Sequence, residues 1–175
     1  DGARVFVEAA ALVHEAIPEA RFALACRMKT PAAHAEADAL MRRVEALGLE
    51  GVVRFLGVVD DMPALLGAAT AVVLPVDTLY AKVDIPIVLL EAMALGTPAV
   101  VSDLPSLSEL SGLGQGCRVV QRRDPSALAQ VLITLAEAPT TVTRMGRGAR
   151  ATVEGHFDLT TMVASYEALY RDLGV

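Results

Sequence analysis

Three observations predict an α/β fold, a doubly wound sheet of parallel strands, for this chain of 175 residues. Short apolar runs such as AVVLPV and PAVVSD alternate with longer segments whose apolar residues recur at three- and four-residue steps. The short runs are apolar throughout instead of alternating with polar residues, as strands are when crossover helices cover both faces of a sheet. Pro18 and Gly48 stop the first two helical patterns just before an apolar run, where a crossover has to turn.

The chain opens on a helix, GARVFVEAAALVHEAI, in which Val5, Ala9, Leu12, Val13 and Ala16 make the apolar stripe. No strand precedes it, whereas a sheet of this kind normally begins with one. The expectation is a piece of something longer with its first strand missing. ARFALAC (20–26) reads as a strand, followed by a helix over 32–47 with Ala39, Leu40, Val44 and Leu47 turned inward. Then come strand VVRFLGV (52–58), a short helix over 62–68, strand AVVLPV (71–76), a polar loop, a helix over 86–95 and strand PAVVSD (98–103). A short helix over 106–110, the strand CRVVQ and helices over 125–137, 142–154 and 159–173 complete the pattern. Asp124-Pro125 reads as an N-cap followed by proline at the first helical position. Tyr166 and Tyr170, four apart, are expected to pack the last helix onto the body or onto a missing domain.

Composition bounds the function. With 54% hydrophobic residues and mean hydropathy +0.48, the chain builds one good core, not two large ones. No apolar run approaches the ~20 residues that span a bilayer, and the first residues lack signal-peptide character, so a cytoplasmic location is expected. A net charge of -6 argues against a nucleic acid partner. Arg42 and Arg43, and Arg118, Arg122 and Arg123, are small clusters that read as solvated surface. Aromatic content of 4% without tryptophan removes stacking platforms, leaving backbone and carboxylates to hold a ligand. Cys26 and Cys117 read as buried, reduced thiols on strands without metal-ligand spacing, and His14, His34 and His156 as surface or packing residues.

The chemistry concentrates in DTLYAKVDIPIVLLEAM. The loop leaves the end of a strand and enters a helix with Pro86 at its first position, where its missing N–H is no loss. The free amides around Ile85, Ile87 and Val88, with the helix dipole, suit an anion such as a diphosphate. Asp84, just before, reads equally as a plain cap. Glu91 lies five residues past Pro86, about 7.5 Å up the helix, comparable to the separation of a nucleotide's diphosphate from its ribose. A carboxylate there matches the two vicinal hydroxyls of a ribose. Apolar neighbours on every side (Ile87, Val88, Leu90, Ala92, Met93, Ala94 and Leu95) predict that Glu91 is buried and not solvent-facing. Lys82 is the one cation of the loop and reads as solvated. Ser102-Asp103 ends a strand at the ligand-side edge and reads as a turn ahead of a hydroxyl contact.

These residues resemble a known family. PIVLLEAMALGTPAVVSD, preceded by VVRFLGVVDDMPALLGAATAVVLP and followed by CRVVQRRDPSALAQVL and YEALYRDL, is similar to the C-terminal nucleotide-sugar-binding domain of GT-B glycosyltransferases, specifically the retaining family 4 (glycosyl transferases group 1). The resemblance covers nearly the whole chain. It implies a Rossmann-like C-terminal half of a GT-B fold, one donor domain over 1–175, with the N-terminal acceptor domain outside the chain. The implied activity is retaining transfer of a sugar from a UDP-, GDP- or other nucleoside diphosphate sugar, with no metal or other cofactor. Glu91 matches the second glutamate of the family's Glu-x7-Glu motif, which holds the ribose. The first would fall at Val83, and the resemblance leaves Asp84, one position on, as its stand-in at the donor sugar. Asp84, Ile85, Pro86, Ile87 and Val88 then face sugar and diphosphate, with Ile85-Pro86 replacing the family's Phe-Gly, and Val58, Val59 and Asp60 lie against the base. Asp1-Gly2 stands where the family commonly reads Lys-Gly, and the strand and arginine before it are missing, so no complete catalytic set is expected and the fragment is expected to bind without transferring. Peripheral contact with the inner membrane face is an option for a full-length member only. Two rivals are a stand-alone nucleotide-binding or regulatory α/β module, and a sugar-nucleotide epimerase, whose carboxylate and histidine set is not visible here.

Overall fold

The structure is a computed structural model that describes residues 2–26, 28, 30–79 and 84–174. Asp1, Lys82 and Val83, on which some of the expectations above fall, lie outside the described residues. The elements follow the predicted order: α1 (Gly2–Ala16), β1 (Phe22–Leu24), α2 (Pro31–Ala46), β2 (Val53–Phe55), α3 (Met62–Ala68), β3 (Val72–Leu74), α4 (Ile87–Ala94), β4 (Ala99–Ser102), α5 (Pro105–Gly112), β5 (Cys117–Val120), α6 (Pro125–Glu137), α7 (Pro139–His156) and α8 (Leu159–Asp172). Local chemistry places several of the starts. Thr30, Asp61 and Asp124 each accept a hydrogen bond from the backbone N–H three residues on, and a proline follows each within the first turn.

All strand pairs among the described residues are parallel. Phe22 lies opposite Val53, Val72 opposite Ala99, and Ala99 opposite Cys117. The strands make two sheets, β1-β2 and β3-β4-β5, instead of the one continuous sheet expected.

Along β4 successive side chains point to opposite faces. Ala99 and Val101 join Leu89 and Met93 of α4 and Leu107 and Leu110 of α5 in one core, while Val100 joins Ala9 and Val13 of α1 and Leu128 and Ala129 of α6 in another. Complete burial of a leucine or methionine such as Leu89 or Met93 stabilises the fold by about 1.5–3 kcal/mol. Being flanked on both sides makes β4 buried at every residue, whereas β3, with one open edge, is half-buried throughout. A third core packs α1 and α2 on β1 and β2 through Val7, Ala10, Val44, Leu49 and Val53. The edge-to-face pair Phe6 and Phe22, ring centroids 5.7 Å apart, seats α1 on β1.

The packing corrects four expectations. Of the stripe expected on α2, Leu40, Val44 and Leu47 do turn to the core, but Ala39 is exposed and Ala37 is buried in its place. Cys26 is exposed, since β1 ends at Leu24, and only Cys117 is buried. The arginine clusters are not simply solvated: Arg43, Arg122 and Arg123 each pair with a carboxylate on another element. Helix α8 touches α7 but has no buried residue, and Tyr166 and Tyr170 are each 53% exposed, so of the two partners expected for these tyrosines the body is not the one that covers them.

No described helix is long and apolar enough to cross a membrane.

Candidate functional site

Helices α3 and α4 each follow a parallel strand, so their N-termini lie at the carboxyl edge, the side on which α/β sheets bind ligands. The Thr97 hydroxyl donates to the Leu66 carbonyl at 2.8 Å and ties the end of α3 to the residues that follow α4. Val58–Asp60, between β2 and α3, and Asp84–Val88, at the start of α4, both follow the carboxyl ends of strands, β2 and β3. Val58 is 70% exposed, Val59 half-buried and Asp60 exposed.

Helix α4 starts at Ile87. Pro86 is the N-cap, with ψ 129, and no side chain caps the helix. Asp84 is exposed in a bend and is not the cap, which removes one of its two readings. Pro86 stands just outside the helix, not at its first position, and among the described residues the first-turn amides have no side-chain acceptor. An uncapped N-terminus carries the partial positive charge that attracts an anion.

Glu91 is exposed, which overturns the expected burial. The buried residues of α4 are Leu89, Ala92 and Met93, while Ile87, 69% exposed, and Leu95, 47% exposed, share the open face with Glu91 at four-residue steps. The reason is geometric: sheet and α7 cover one side of a short helix, and an apolar sequence all round it leaves a stripe uncovered. Burial therefore forces no partner on Glu91. Accessibility one turn above an uncapped helix start is what the structure offers a ligand.

The loops beyond the strands are laced by arginines. Arg122 donates Nε to Asp103 Oδ1 at 2.8 Å and its backbone N–H to the same oxygen at 3.0 Å, so Asp103 bolts the loop after β5 to the end of β4. Desolvation pushes the Asp103 carboxyl up, and the hydrogen bonds from Arg122 outweigh it, leaving the group below its ordinary value. Next to it, Arg123 donates Nε to Asp77 Oδ2 at 2.6 Å. Sequence reasoning passes over Asp77; its only signal is a carboxylate in a loop just past an apolar strand. Asp124 caps α6 through Ala127 at 2.8 Å, the structural role expected of it.

Among the described residues no group of three or more His, Cys, Asp or Glu converges on a point. His34 Nδ1 lies 2.9 Å from the Thr30 carbonyl, within the first turn of α2, and His156 borders an open cavity with Arg144 and Arg147.

Comparison with known proteins gives this geometry its context. The family described as "Glycosyl transferases group 1" matches residues 1–138. N-acetyl-alpha-D-glucosaminyl L-malate synthase of Bacillus anthracis is 31% identical over 137 residues, 77% of this chain and 34% of its own length. Sucrose-phosphate synthase of Thermosynechococcus elongatus superposes with a TM-score of 0.82 at 25% identity, over 98% of this chain and 42% of that one. Anabaena HepE in complex with UDP and glucose superposes with a TM-score of 0.77 at 23% identity, over 94% of this chain and 44% of that one. The chain thus spans about a third of the Bacillus anthracis relative and less than half of either solved structure. With most of its length matched by the family and a relative of this similarity, the chain belongs to the group 1 glycosyl transferases.

Proposed function

We propose that residues 1–175 form the donor-binding, C-terminal domain of a retaining GT-B glycosyltransferase of family 4 and bind a nucleoside diphosphate sugar at the carboxyl edge between α3 and α4. The observation that carries this reading is α4 itself: an uncapped N-terminus at Pro86–Ile87, followed one turn later by the accessible carboxylate of Glu91. The amides of Ile87 and Val88 take the diphosphate. Glu91 accepts from the two ribose hydroxyls, the exposed Asp84 meets hydroxyls of the donor sugar, and Val58, Val59 and Asp60 lie along the base. No metal is needed in this scheme, since helix amides supply the positive potential. HepE, of similar fold, was captured with UDP and glucose, which supports the ligand class.

The acceptor and the cations that neutralise the departing diphosphate belong to a further region of the full-length protein, and the isolated chain binds without transferring. The exposed apolar stripe of α8 and the separation of the strands into two sheets support such a region. Calorimetry with UDP, GDP and ADP on the chain and on Glu91→Ala tests the reading. Loss of about 1–3 kcal/mol of binding is expected when an ionised acceptor is removed. Equal binding by Glu91→Ala, or no binding of any diphosphate, favours a module without donor recognition and overturns the proposal.

A further inference from the structure

Across the sheet from Glu91, the carboxyl edge holds a second polar site that donor binding at α4 does not use. The Asp77 side chain is only 10% exposed. One oxygen accepts from Arg123 Nε, while Oδ1 is sealed from solvent and has no hydrogen-bond partner. A buried carboxylate oxygen without a donor is destabilising and demands a reason. Its partner Arg123 is 75% exposed and has φ 58, the left-handed region that residues with a side chain avoid. Backbone strain of this kind persists at sites where the surroundings or a ligand need it.

Both residues border a cavity of about 260 Å³ that is also lined by Arg4, Val5 and Glu8 at the start of α1 and by Pro125 at the start of α6. Glu8 is engaged by Arg43 through both of its oxygens. Arg4 is exposed and makes no ion pair among the described residues. The cavity therefore offers a guanidinium engaged only by the charge of Glu8 one turn along its own helix, a second guanidinium free to swing, and a carboxylate short of donors. A bare anion would satisfy Arg4 and leave Asp77 Oδ1 without a donor beside another negative charge. A neutral polyol would satisfy Asp77 and leave Arg4 idle. A ligand with both groups matches the whole site.

We propose that this cavity binds a small phosphorylated polyol, its phosphate between Arg4 and Arg123 and two adjacent hydroxyls donating to the Asp77 carboxylate as Arg123 swings away from it. The site is distinct from the donor site on α4 and does not depend on that assignment.

Titration of the chain with glucose 6-phosphate, inorganic phosphate and glucose, followed by backbone amide NMR, tests it. Glucose 6-phosphate is expected to shift Arg4, Asp77 and Arg123 and to bind about tenfold more tightly than either fragment, with about tenfold loss in Arg4→Gln. Asp77→Ala is expected to erase the preference for glucose 6-phosphate over phosphate, and Glu91→Ala, which weakens diphosphate binding at α4, to leave the affinity for glucose 6-phosphate as it is. Should Asp77→Ala fail to fold, Arg4→Gln decides alone, because Arg4 is a surface residue. Equal binding of phosphate and glucose 6-phosphate, no binding at millimolar ligand, or sensitivity to Glu91→Ala in place of Arg4→Gln would each overturn the proposal.

Discussion

Arg43 of α2 holds Glu8 of α1 through two parallel hydrogen bonds, Nε to Oε1 at 2.6 Å and Nη2 to Oε2 at 2.8 Å, and so clasps the two helices above their shared core. The hydrogen bond from Arg43 is the main cause that holds the Glu8 carboxyl below its ordinary value. A depressed folded value means that the contribution is complete above the unfolded carboxyl value of about 4.3 and is lost as pH falls through the lower folded one. Urea unfolding from neutral to acid pH should show a smaller loss in Glu8→Gln than in the wild type, the remainder coming from other depressed carboxyls such as Asp103. A Glu8→Gln and Arg43→Met cycle should give a small favourable coupling that shrinks in high salt, as expected for a partly exposed pair.

Helix α7 crosses the Gly96 turn at Gly146, where a Cβ would collide with the Gly96 carbonyl. The same helix carries Gly155, where an added Cβ would meet no atom within 4 Å. Gly146→Ala should therefore cost about 1–3 kcal/mol through overpacking. Gly155→Ala should gain about 0.5–1 kcal/mol from lower chain entropy in the unfolded state. Denaturant midpoints of the two variants, moving in opposite directions, check both.

Thr97 is 3% exposed and its hydroxyl gives the Leu66 carbonyl a partner. Thr97→Val preserves the shape and leaves that carbonyl only the Ala69 N–H at 3.2 Å, so a loss of about 0.5–1.5 kcal/mol is expected, with Thr97→Ser recovering most of it. Hydrogen exchange should show the opening concentrated at α3 and the end of α4.

Burial pushes the Cys117 thiol up to about 11, whereas Cys26 is exposed. A disulfide reagent at mildly alkaline pH should label Cys26 in the folded protein and reach Cys117 only on unfolding, since the thiolate is the reactive form. Rapid labelling of both thiols in the native state would contradict the packing of β5 described above.

Most of the element order was legible because its causes are local. Apolar spacing marked α1 and α6, Asp61 and Asp124 announced their helices as caps, and unbroken apolar runs marked parallel strands whose hydrogen-bonded cores, such as Val72–Leu74, proved shorter than the runs themselves. The helix start at Pro86 and the position of Glu91 above it belong to the same class, since both depend on rise per residue along one segment. Whether Glu91 faces protein or water does not. That depends on which side of α4 the sheet and α7 happen to cover, and a helix apolar on all sides carries no moment to announce its orientation. The pairs Arg43–Glu8 and Arg123–Asp77 are 35 and 46 residues apart in sequence. Local spacing carries no trace of them, because only the closing of the two cores brings such charges within hydrogen-bond reach.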